Sequence, residues 1–121
     1  MLYAGAVLCS QTYRRLHPID GVPGPDQHQV KVPPVDPAGR ADTPVRIAYR
    51  EWGPPDAPAI VLLHGSPGDG GAFNELGPLL GEHHRVIAPD LPGFGGSTLR
   101  IPDYSIATHA RYLNELLDSL G

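Results

Sequence analysis

Hydrophobic positions change their period several times along the chain, and each change marks an element. Val45, Ile47 and Tyr49 alternate with Arg46, Ala48 and Arg50, which predicts a half-buried strand over Val45–Trp52. A weaker alternation, with Val30 and Val32 between polar neighbours, predicts a short strand at Gln27–Val32. The two would pair as an antiparallel hairpin at a sheet edge. Ala59–Leu63 is a near-continuous apolar run, and Arg85–Ala88 is a second one leading into Asp90. Between them Phe73, Leu76 and Leu80 share one face of a predicted helix over Ala72–Leu80, with Pro78 kinking it or splitting off its last turn. Two apolar runs joined by a helix describe a right-handed crossover in a parallel sheet. Finally, Ile106, Ala110, Leu113, Leu117 and Leu120 are spaced four, three, four and three apart. That spacing predicts a long helix with this stripe toward the sheet, capped by Ser105 and ended by Gly121.

The fold class is therefore α/β. Both glycine-rich loops, His64–Gly68 and Asp90–Ser97, fall at the carboxyl ends of the two central strands, where such sheets gather ligands. Upstream the pattern dissolves. His17–Thr43 carries six prolines and three glycines, a density that forbids a helix, and reads as an extended linker to about Asp26 and a loop from Val35 to Thr43. The domain is expected at 27–121, preceded by an apolar segment and linker at 1–26.

At 121 residues the chain holds one domain at most. Its formal net charge of −4 leaves no basic footprint for nucleic acid. A single cysteine, Cys9, excludes an intramolecular disulfide and a cysteine-based metal cluster. Met1–Leu16 is too short to span a membrane and lacks the marks of a signal peptide. It reads as an N-terminal helix, with the tail of a membrane anchor as the sharper alternative, so a cytoplasmic location is favoured over a membrane-anchored one.

Gly65 and Gly68 let the backbone pivot, and Pro67 has no N–H, so Ser66 keeps the only backbone donor between the two glycines. Such a donor at a strand end can stabilise a developing oxyanion. The alternative is that His64-Gly65-Ser66-Pro67-Gly68 is only a tight turn. Asp90 reads as a structural carboxylate that binds nearby loop N–H groups rather than as a catalytic one. Neither loop is a nucleotide fingerprint, and no Gly-Lys-Ser/Thr phosphate loop occurs. His83 and His84 are adjacent and would point apart, so no metal site and no cofactor is expected. His109 is expected to be solvated on a helix face. Among the serines Ser10, Ser66, Ser97, Ser105 and Ser119, none sits in a G-x-S-x-G elbow.

Taken together, LLHGSPG, RVIAPDLPGFGGS and YSIATHARYLNELLDSLG resemble the N-terminal part of an α/β-hydrolase-fold enzyme, over about Val45 to Gly121. The resemblance implies an antiparallel edge hairpin followed by parallel strands with crossover helices. It makes His64-Gly65-Ser66-Pro67 the oxyanion-hole motif, with the Ser66 N–H as one donor. Asp90, Gly93, Gly95 and Ser97 become a structural loop, and Phe94 a candidate pocket wall. It implies a small-molecule substrate and hydrolysis of an ester or amide. The alternatives are an epoxide or haloalkane hydrolase with an Asp nucleophile, a cofactor-free haloperoxidase-like member, and a non-enzymatic module. In the family the nucleophile elbow follows the helix ending in L-x-x-L-G. The 121 residues contain no nucleophile, acid or catalytic histidine of that scheme, so the chain alone is expected to be inactive.

Overall fold

The computed structural model describes residues 21–39 and 42–121. The expectations for Met1–Leu16, Cys9 and the first part of the linker lie outside them. No helix among the described residues is long and apolar enough to cross a membrane.

Four strands form one mixed sheet: β1 (His28–Val32), β2 (Val45–Trp52), β3 (Ala59–Val61) and β4 (Arg85–Pro89), in the order β1-β2-β4-β3. β1 and β2 make the expected antiparallel hairpin, with Val30 opposite Ile47. β2 also pairs antiparallel with β4, and β4 pairs parallel with β3, Ile60 beside Val86. β3 is shorter than the apolar run suggested, although Leu62 still donates its N–H to the Ile87 carbonyl at 2.9 Å. β1 begins at His28 rather than Gln27, whose N–H closes a turn onto the Gly24 carbonyl at 3.1 Å.

Alternation along β2 sends Val45, Ile47 and Tyr49 to one face and Ala48, Arg50 and Trp52 to the other. The first face joins Val32, Ile87, Ile101, Tyr112 and Leu116 in the hydrophobic core, beneath the helix Ile106–Leu120. The second face is covered by a 3-10 turn at Gly70–Phe73 and the short helix α1, Leu76–Leu80. The long helix, α2, keeps its predicted bounds, but its buried stripe is Thr108, Tyr112 and Leu116, while Ile106 is 90% exposed and Ala110 is also exposed. Leu113, Leu117 and Leu120 do pack against the core. The expected stripe failed at its start because Thr108 and Tyr112 count as polar in a periodicity argument, yet here their hydroxyls are satisfied. Tyr112 accepts the Val35 N–H at 3.0 Å, and burial pushes its phenol pKa up. Thr108 donates to the Asp103 carboxylate, which also accepts from the Ser105 N–H and hydroxyl. These bonds, Thr108's first, hold the Asp103 carboxyl below its usual range. Ser105 caps the helix as expected, accepting from the Thr108 N–H.

The single helix expected over Ala72–Leu80 is two short pieces, and Leu76 and Leu79 are exposed at 44% and 66%. What α1 buries is Gly77, laid flat against the Trp52 indole. A Cβ there would stand 2.4–2.7 Å from three ring atoms. Ala is ordinarily better than Gly inside a helix by about 1 kcal/mol. Overpacking of this kind costs roughly 1–3 kcal/mol and outweighs the gain. Gly77→Ala should therefore lower stability by about 1–2 kcal/mol in a urea titration; a stabilised variant would mean that the indole swings aside freely.

Candidate active site

β3 and β4 run parallel, so the His64–Gly68 turn and the Asp90–Ser97 loop leave the sheet side by side. His64 joins them. Its Nε2 accepts the Leu91 N–H at 3.0 Å, so the ring proton sits on Nδ1, which lies 2.9 Å from the Gly65 carbonyl. That fixes one neutral tautomer and pins the first residue of the turn to the second loop. The ring is buried and meets Phe94 edge-on, 5.2 Å between centroids at 71°.

The Asp90–Ser97 loop is built around one buried carboxylate. Asp90 is 1% exposed. Its Oδ1 accepts the Gly70 N–H at 2.7 Å, and its Oδ2 accepts the Gly96 N–H at 2.8 Å and the Gln27 amide at 2.7 Å. Arg50 Nη1 lies 3.5 Å from Oδ1, near enough to pair charges but making no hydrogen bond there. Gly95 has φ +51°, and a Cβ on it would come within 2.2 Å of Oδ2, so the loop closes on the carboxylate only with glycine at this point. Ser97, fully buried, donates its hydroxyl to the Asp90 carbonyl and accepts the Ala48 N–H, tying the loop to β2. The Gly93 N–H is bonded to the Thr98 carbonyl at 2.8 Å.

Between the turn and the loop lies a cleft of about 350 Å³. His64, Gly65 and Ser66 form one side; Leu91 and Phe94 form the second; Tyr104 and His109 form the third. Ser66 and Pro67 are exposed, and the Ser66 N–H makes no hydrogen bond among the described residues. A larger cleft of about 460 Å³, between Asp42–Val45 and Thr98–Pro102, contains none of these groups. No cluster of three or more potential metal ligands occurs among the described residues. His83 is exposed in the turn before β4, and His84 beside it is half-buried.

His109 departs from expectation. It is not solvated. Its Nε2 lies 2.8 Å from the Pro92 carbonyl and its Nδ1 3.1 Å from that of Ser105. One signal could have found it: a helix that follows a strand starts at the strand's carboxyl end, so the first turns of α2 must border the loops.

A family model described as alpha/beta hydrolase fold matches residues 58–121. The chain belongs to this family. It is similar to the haloalkane dehalogenase of Psychrobacter cryohalolentis, 40% identical over 82 residues, which are 65% of this chain and 27% of that protein. Among solved structures it resembles the haloalkane dehalogenase DbeA from Bradyrhizobium elkani, with a TM-score of 0.63 and 34% identity, covering 79% of this chain and 30% of that one. It also resembles the epoxide hydrolase CorEH, with a TM-score of 0.65 and 32% identity, covering 78% and 29%. The chain thus spans about a quarter of the length of the curated relatives it matches. The antiparallel hairpin followed by a parallel β4–β3 pair is a hydrolase-fold sheet as the motifs implied.

Proposed function

We infer that this chain supplies the oxyanion side of a small-molecule hydrolase site, with the Ser66 N–H as one donor. The observation that carries the reading is Ser66 itself: its N–H has no hydrogen-bond partner among the described residues, and it lies in the turn after β3 and lines a cleft whose other walls are largely apolar or aromatic. His64 and the Asp90 network hold the two loops that flank it. Of the reaction types that the motifs leave open, the relatives' names favour haloalkane or epoxide hydrolysis over ester or amide hydrolysis. The role of Ser66 is the same in each. If a carboxylate nucleophile displaces halide or opens an epoxide, the covalent intermediate is an ester. If a serine attacks an ester or amide, it is an acyl-enzyme. Water then adds to the ester carbonyl, the carbonyl electron pair moves to oxygen, and the resulting oxyanion needs N–H donors. Leu91 and Phe94 would shield the substrate's apolar part from water.

A segment exchange tests this. In the Psychrobacter haloalkane dehalogenase, the aligned 82-residue segment is replaced by that of this chain. The chimera should still release halide from 1-bromobutane, at a rate within roughly a hundredfold of the parent, because the oxyanion contribution is preserved. A chimera that melts cooperatively yet shows no hydrolysis above buffer would contradict the reading.

A further inference from the structure

Phe94 lines the cleft from within the second glycine-rich loop. Its loop turns on itself through Phe94 N–H to the Leu91 carbonyl at 2.9 Å and Ser97 N–H to the Phe94 carbonyl at 3.2 Å. Its outer end is fastened by the buried Asp90 and Ser97. Its inner end, Leu91–Pro92, has two anchors from elsewhere in the chain. One is His64, which accepts the Leu91 N–H. The other is His109, whose Nε2 faces the carbonyl of the fully buried Pro92 at 2.8 Å. Both imidazoles also lie near the Phe94 ring, with centroids 5.2 Å and 6.4 Å away. A part-buried carbonyl that loses its donor is left poorly solvated, which favours keeping the bond.

We propose that His109 is a positioning residue of the cleft: its Nε2–H, donated to the Pro92 carbonyl, holds Phe94 across from the Ser66 N–H. The inference rests on the reading of Ser66 given above. Both ring nitrogens of His109 face carbonyl oxygens, and the shorter contact is the one to Pro92. The Nε2 position therefore carries the proton toward the loop. Tyr104 closes the same wall, its ring 6.4 Å from His109 and its hydroxyl donated to the Leu99 carbonyl at 2.7 Å. The His109 side chain thus links the first turn of α2 to the loop that carries Phe94.

The geometry also says which replacements preserve the clamp. A glutamine amide nitrogen reaches the place of an imidazole Nε2, whereas an asparagine reaches only that of Nδ1. The test uses the full 121-residue chain, isotope-labelled, as wild type, His109→Gln and His109→Asn. Amide hydrogen exchange is read at Gly93 and Phe94, with β2 and β4 amides as the reference for global stability. Sodium butyrate is the cleft probe, its carboxylate oxygen for the Ser66 N–H and its propyl chain for Phe94. In the wild type the Ser66 amide resonance should move saturably with butyrate. In His109→Asn, protection at Gly93 and Phe94 should fall by about tenfold or more and butyrate half-saturation should rise similarly. His109→Gln should restore both. The imidazole nitrogen spectrum of the wild type should show a protonated Nε2 on His109, a readout that needs no variant to fold. A bare Nε2 there would overturn the proposal. So would equal protection at Gly93 and Phe94 in all three chains alongside a normal butyrate shift. Absence of any Ser66 shift in the folded wild type would instead overturn the reading of the cleft itself, whatever the loop does.

Discussion

Asp90→Ala should lower the unfolding free energy by about 3–5 kcal/mol, the usual loss when one partner of a buried charged network is removed. The carboxylate has three hydrogen-bond donors on two oxygens, from Gly70, Gly96 and Gln27, and the Arg50 guanidinium nearby. Alanine leaves the Gly70 and Gly96 N–H groups buried without acceptors, and each such group costs about 1–3 kcal/mol. It also leaves Arg50 as a charge only 18% exposed without its partner. Asp90→Asn keeps the volume but must turn an NH₂ toward one of the N–H or amide donors, so roughly 2–3 kcal/mol should be lost. A domain of ordinary stability holds about 5–15 kcal/mol, so the alanine variant should be visibly shifted in a urea or thermal melt and partly unfolded in the least stable case. A variant within 1 kcal/mol of wild type would mean that the loop re-forms around solvent and that the network is not what holds it (about 1 kcal/mol being the typical net value of one hydrogen bond).

The same carboxylate shows how far the sequence could be read. A strand end followed by a glycine-rich loop places Asp90 where N–H groups are dense, but nothing local names Gly70 or Gln27, which lie 20 and 63 residues upstream. Elements whose patterns were written by one dominant burial face kept their bounds. Val45–Trp52 is held between β1 and β4, and Ile106–Leu120 is bounded by Ser105 and Gly121. Where burial depends on a small residue meeting a large one, the pattern misled. Gly77 carries no hydrophobic signal, so periodicity points to Leu76 for the face that the glycine occupies under Trp52. Thr108 and Tyr112 escape the pattern for a related reason, since a hydroxyl reads as polar until its partner is known. His109 is the site's version of that failure. An imidazole one turn into a polar-looking helix gives no sign of a carbonyl acceptor 17 residues back in the chain.

Ser66 offers the opposite signature to Asp90, a position where stability should hardly move and chemistry should move a great deal. Its side chain is exposed and its N–H has no acceptor among the described residues to lose. In the 121-residue chain, Ser66→Ala and Ser66→Pro should therefore both melt within about 1 kcal/mol of wild type, the preceding Gly65 absorbing the restriction that a proline places on its neighbour. In the dehalogenase chimera the two should separate. Alanine keeps the N–H and should retain turnover within a few-fold. Proline removes it, and loss of one oxyanion donor typically lowers kcat by about 10²–10³, or roughly 3–4 kcal/mol of transition-state stabilisation. The separation is read as a ratio between two variants of one scaffold, so any general weakness of the chimera cancels. Because the donor acts on charge that develops only as water adds to the ester already formed, kcat and KM should fall together, with kcat/KM much less changed. Equal turnover of the proline and alanine variants, with both melting normally, would remove the backbone of Ser66 from the oxyanion site. A fall of the alanine variant to the proline level would assign the stabilisation to the hydroxyl instead.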